Sequence, residues 1–131
     1  MNEAIDWLRF AREDLRVAEW AVSDQIYNQA CFHAQQCVEK TLKAWLRTQE
    51  SLPPKTHQLS TLLSFIPKDV LADLRTDITL LDRFYIPTRY PDALPGSLPE
   101  GMPNAADAKE AVNTARQVLR QVERLIDAIP L

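Results

Sequence analysis

Glycine, histidine and cysteine each occur only twice in this 131-residue chain, and each scarcity excludes something. With Gly96 and Gly101 as the only glycines, both inside one proline-rich stretch, there is no Gly-rich loop to cradle phosphate and no nucleophile elbow. Two histidines, His33 and His57, give no paired spacing for zinc and leave few groups to act as conventional general bases near neutral pH. Cys31 and Cys37 stand six apart on one helical stretch, roughly 9 Å along a straight helix, beyond the ~7 Å a disulfide spans. They read as reduced, small core residues of a cytoplasmic protein, and no metal site follows from them. Basic excess is missing too: the net charge of −3 argues against a protein that coats nucleic acid. No apolar run approaches the ~18 residues of a membrane span. The opening MNEAIDWLRF carries acids where a secretion signal would carry Lys or Arg.

What the chain has in quantity is helical periodicity. Residues 25–47 contain neither Gly nor Pro. There Tyr27, Cys31, Ala34, Val38, Leu42 and Trp45 share one face, and His33, Gln36, Lys40, Lys43 and Arg47 form a basic, hydrogen-bonding back. A first helix over 2–22, with Asn2 as N-cap, carries the stripe Ala4, Leu8, Ala11, Leu15, Ala18, Val22. Arg9 is placed to pair with Glu13 on its wet side. Asp14 falls at the margin of that apolar face, where it either leans out to water or needs a partner. Ser23-Asp24 turns the chain into a helical hairpin.

Pro53-Pro54 then ends helix, and Thr56 caps a short helix over 57–66 with Leu59, Leu62, Leu63 and Ile66 inward. Another helix is expected over 69–84, with Leu71, Leu74, Ile78, Leu81 and Tyr85 inward. Five prolines and both glycines make residues 86–104 a long loop, the kind that is often functional. Asn104, with Asp107 as its N3 acid, opens a last helix striped by Ala108, Val112, Ala115, Leu119, Val122, Ile126 and Ile129. Ala111, Val118 and Leu125 widen this stripe. The sum is one all-α domain over 1–131, an up-and-down antiparallel helical bundle of about five helices with a long Pro-rich loop before the last.

Three groups bear chemistry, and each has a bland reading beside the functional one. The row Lys40, Lys43, Arg47 is either a solvated face or positive charge for an anionic ligand. His57 sits where its ring can cap backbone groups or shape a rim, and His33 reads as a surface hydrogen-bonder. In the loop, Arg89 can grip phosphate or carboxylate with two prongs and Tyr90 can stack on a base, with Thr88 beside them. Arg89 can equally pin the loop to Asp14 or Asp82. No catalytic residue is assigned, and neither metal nor cofactor is expected.

Trp7, Ala11 and Asp14-Leu15, then AxxxAQQCxEKTLKAWL over 30–46, then Pro-Pro-Lys-Thr-His over 53–57, then Thr-Arg-Tyr-Pro-Asp over 88–92, stand in an order that resembles the HEPN domain over residues 2–129. The resemblance implies a helical bundle that pairs into a homodimer, with a nucleotide or related ligand held in a cleft at the dimer interface. Small stand-alone prokaryotic members of that family are often encoded beside a minimal nucleotidyltransferase as its partner. Lys40, Lys43, His57, Thr88, Arg89 and Tyr90 become the ligand-binding candidates. The alternatives are a metal-independent ribonuclease of a toxin–antitoxin pair, or a purely structural dimerising protein. The ribonuclease branch uses an Arg-polar-x4–6-His motif, and here Arg47 precedes His57 by ten positions while no His follows Arg83 or Arg89. Losing that proton-transfer group costs on the order of a hundredfold or more. A binding module is therefore expected in preference to an enzyme, with RNA the less favoured ligand. Phe32 and Leu46, off the main stripe, hint at a second apolar contact.

Overall fold

The computed structural model describes residues 1–85 and 101–130. Every element among them is a helix: α1 (Asn2–Ser23), α2 (Tyr27–Thr48), α3 (Leu59–Leu63), α4 (Arg75–Leu80), a 3-10 helix (Leu81–Phe84) and α5 (Ala105–Asp127). α2 is the hub. α1 and α5 pack along it, while α3 and the 3-10 helix close a further side. The expected all-α bundle is therefore the observed one.

The α1–α2 hairpin turns on Gln25, whose φ of +61° puts it in the left-handed region. That reversal lets the Ile26 N–H donate to the Ala21 carbonyl at 2.8 Å. Helix therefore resumes at Tyr27, not at residue 25. Asn2 is not a cap either. It is already helical, Met1 stands at the N-cap position without a side-chain cap bond, and the Ile5 N–H reaches the Met1 carbonyl at 3.1 Å. Arg9 pairs with Asp6 at 3.6 Å, one turn back, in place of Glu13.

The largest correction concerns the back of α2. It is not a free solvated face: Lys43 is buried, and His33, Gln36, Lys40 and Arg47 are half-buried. Gln35, Glu39 and Thr41, outside that row, are buried along with the apolar stripe. Leu46 is likewise buried and so not left over for an outside contact, while Phe32 is half-buried and packs near Tyr85. Leu125 departs in the other direction, lying 42 % exposed on α5.

Between residues 57 and 84 the two expected helices are shortened. α3 starts at Leu59 because the Asp82 carboxylate accepts from the Leu59 N–H at 2.6 Å and the Ser60 N–H at 3.1 Å. Thr56 accepts only from the Gln58 N–H, at 3.1 Å. The helix expected over 69–84 is broken at Leu71, which is buried at φ +57°. Regular helix begins only at Arg75, whose guanidinium donates to the carbonyls of Leu63, Ile66, Pro67 and Val70 at 2.6–3.3 Å. These carbonyls belong to chain ends and turns that have no helical partner for them. Arg75 thus replaces a continuous helix as the organiser of this corner.

α5 opens as its sequence dictates. The Asn104 side chain accepts from the Asp107 N–H at 2.9 Å, and the Asp107 carboxylate accepts from the Asn104 N–H at 3.0 Å. Such a cap stabilises a helix by about 1 kcal/mol. Arg12 to Glu123 at 2.7 Å and Arg116 to Glu19 at 2.8 Å tie α5 across to α1, each worth only a few tenths of a kcal/mol at an exposed position.

Both cysteines are fully buried, and burial pushes each thiol up to about 12. The reactive thiolate is therefore scarce at neutral pH. We expect the native protein to resist alkylation by iodoacetamide at pH 8 and to take up two labels only in denaturant. Rapid native labelling at either position would show that its packing is open.

Candidate functional site

Two buried carboxylates organise the polar side of α2, and each holds one histidine and one lysine. Asp14, from α1, lies 2.9 Å from His33 Nδ1 and 2.5 Å from Lys40 Nζ. Glu39, within α2, accepts from Lys43 Nζ at 2.9 Å and from His57 Nδ1 at 3.0 Å. Gln36 adds a weaker bond to Glu39 at 3.3 Å. Asp14 is 8 % and Glu39 3 % exposed, so unpaired charge at either place would be costly. The marginal position of Asp14 in the α1 stripe is resolved in favour of partners. Lys43 also lies over the Trp7 ring, 5.4 Å from its centroid, and Arg47 Nε sits 2.6 Å from Glu3.

His57 is the exposed end of the Glu39 cluster. A carboxylate only accepts, so its contact places a proton on Nδ1 and leaves Nε2 as the acceptor nitrogen of the neutral ring. The backbone is fixed as well: the buried Gln35 amide donates to the His57 carbonyl at 2.9 Å. The imidazole stacks on Tyr85 with centroids 4.6 Å apart and planes 25° apart. Tyr85 lies near-parallel to Phe32 at 6.3 Å and 19°. Three rings thus form a column running from α2 to the surface, with His57 outermost and 54 % of its side chain exposed.

A cavity of about 390 Å³ opens beside this column, lined by Lys55, Thr56, His57, Gln58, Asp82 and Tyr85. Both Asp82 oxygens are engaged by the first N–H groups of α3. Lys55 is exposed and has no carboxylate partner among the described residues. The cavity wall therefore presents an ammonium unpaired among the described residues, an imidazole edge and stacked rings, a chemistry suited to a flat, phosphate-bearing molecule.

The match to known proteins decides the family. A model of the HEPN domain matches residues 4–125. The chain belongs to the HEPN family. It is similar to the crystal structure of TT1696 from Thermus thermophilus, with 37 % identity and a TM-score of 0.77 over 95 % of this chain and 98 % of that one. It is also similar to ST0689, an archaeal HEPN homologue, with 36 % identity and a TM-score of 0.76 over 96 % and 99 % of the two chains. No curated protein matches it.

Of the residues singled out in this HEPN chain, Lys40, Lys43 and His57 are brought onto one side of α2, the first two in ion pairs. Thr88, Arg89 and Tyr90 lie outside the described residues. Among the described residues each histidine is paired with a carboxylate. Sequence reasoning passed over Lys55, Glu39 and Tyr85 as individual site residues. Glu39 had a readable signal, its four-residue spacing from Lys43 on one helix face. Tyr85 had none, since the stack depends on the 3-10 helix that delivers it. No described helix is long and apolar enough to cross a membrane.

Proposed function

We propose that this HEPN protein is a cytoplasmic nucleotide-binding module that acts as the accessory partner of a minimal nucleotidyltransferase, not as an enzyme by itself. The observation that carries the reading is the cavity beside His57 and Tyr85, where Lys55, without a carboxylate partner among the described residues, stands next to an exposed, anchored imidazole. Lys40 and Lys43 support it from behind: they balance Asp14 and Glu39, so that the buried carboxylates do not repel an incoming phosphate. Thr88, Arg89 and Tyr90, which follow Tyr85 closely in sequence, add candidate phosphate and base contacts.

The test is calorimetric titration with ATP, GTP and a short RNA at low salt. ATP or GTP should bind, and Lys55→Ala or Arg89→Ala should weaken that binding about fivefold or more, as loss of a charge-assisted contact does. No binding above the variants would end the proposal. The partnership is tested by co-expression with a neighbouring nucleotidyltransferase, which should co-purify with the chain.

A homodimer fits the surface. Val17, Trp20 and Ile26 are exposed at 37 %, 60 % and 46 % around one groove, with Phe10 two turns along α1 at 42 %. An exposed apolar row of this kind marks a contact surface. Sedimentation should give a dimer that Trp20→Glu converts to monomer. A monomeric wild type would contradict this part.

A further inference from the structure

The Phe32–Tyr85–His57 column bears on how a nucleotide is held. One face of His57 is covered by Tyr85, while 54 % of the side chain is exposed and the residue lines the cavity. The ring is fixed at two points, Nδ1 on Glu39 at 3.0 Å and one face on Tyr85, and the backbone beneath it by the Gln35 amide donating to the His57 carbonyl at 2.9 Å. An exposed aromatic ring ordinarily loses rotamer freedom when a ligand lands on it. Here that cost is already met by the fold. The planes of successive rings differ by only 19° and 25°, so the column sets a direction along which one more flat ring continues the stack.

The alternative use of His57, gripping phosphate through Nε2, is not what the neutral ring offers. With its proton on Nδ1 against Glu39, the neutral imidazole presents a lone pair at Nε2 and no donor for a phosphate oxygen. Lys55 on the same cavity wall is the better phosphate partner, being an exposed cation with no carboxylate partner among the described residues. The two parts of a nucleotide thus have different receivers within one cavity of about 390 Å³, inside the range of small-ligand pockets.

We infer that the open face of His57 is a nucleobase-stacking platform, extending the Phe32–Tyr85–His57 column by one ring, with Lys55 receiving the phosphate of the same mononucleotide. The inference rests on the nucleotide reading and adds to it that the base, not the phosphate alone, supplies most of the recognition. Stacking is tolerant of sequence because every base has a π-face, so the site accepts purines and pyrimidines in order of ring area.

The experiment compares AMP with ribose 5-phosphate, which keeps the phosphate and lacks the base, by proton NMR and calorimetry on the full chain. With AMP the carbon-bound ring protons of His57 should move upfield through the ring current of the base, and those of His33 should stay. Ribose 5-phosphate should leave both unmoved and bind about tenfold or more weakly, the scale of one lost base stack. His57→Phe should keep AMP affinity within about threefold and His57→Ala should lose about tenfold or more, by the same stacking scale. If these variants fail to fold, the ring-current shift in the wild type decides alone. AMP binding with no upfield movement of His57, or ribose 5-phosphate binding as tightly as AMP, overturns the platform and leaves the nucleotide reading standing. Failure of AMP, ATP and GTP all to bind overturns both.

Discussion

Glu39→Ala is expected to destabilise the protein by about 3–5 kcal/mol, the scale of breaking a buried ion pair by removing one partner. Three donors converge on this carboxylate from Gln36, Lys43 and His57. Removing it strands the Lys43 ammonium in a site where that side chain is only 10 % exposed. For a chain of this size the loss corresponds to roughly 10–20 °C in Tm. Lys43→Met should cost less, because Glu39 keeps His57 and Gln36. The double variant Glu39→Leu/Lys43→Met should recover most of the Glu39→Ala loss, since a pair of apolar side chains needs no partner. Thermal unfolding of the three variants checks the ordering. A Glu39→Ala protein as stable as wild type would mean the cluster is open to water.

The second large effect is expected at Arg75. Its guanidinium gathers four carbonyls from the turns between α3 and α4. A hydrogen bond from a charged donor contributes about 1.5–3 kcal/mol net, and bonds that share one side chain do not add fully. Arg75→Ala should therefore cost about 2–4 kcal/mol in total, part of it offset by water reaching the outermost carbonyls. Lys at this position should not restore the loss, because an ammonium lacks the planar fork that reaches several carbonyls at once. Hydrogen exchange should localise the effect: amides over 63–74 should open first, while those of α2 and α5 exchange only with global unfolding. Uniform acceleration along the chain would show that Arg75 does not act on this corner.

These two side chains also mark where the sequence was readable and where it was not. Long helices with continuous stripes were legible, because burial of every third or fourth residue is a property of the helix alone. The α5 capping box was legible for the same reason, since both of its members are three residues apart. The corner around Leu71 was not. Its left-handed backbone lies beside a turn whose carbonyls converge on Arg75, contacts set by the folded turn and invisible to periodicity. Lys43 fell on the basic back of α2 because periodicity says which residues are apolar, not how many neighbours a helix has. α2 has enough neighbours to bury Lys43 and to pair each of Lys40, Lys43 and Arg47 with a carboxylate. His57 lies at the edge of the cavity, and its stack on Tyr85 joins residues 28 positions apart through an unpredicted 3-10 helix. Thr88, Arg89 and Tyr90, outside the described residues, remain candidates on chemistry and position alone.

The central claim is that Glu39 fixes His57 with Nδ1 protonated and its open face presented to a nucleotide. The most direct measurement is a nitrogen–proton correlation spectrum of the histidine rings in labelled protein, recorded with and without ATP at low salt. The neutral His57 ring should carry its proton on Nδ1, and its resonances should move on ATP addition while those of His33 do not. A proton on Nε2 of His57 in the free protein, or ATP that leaves both rings unchanged, would contradict the claim.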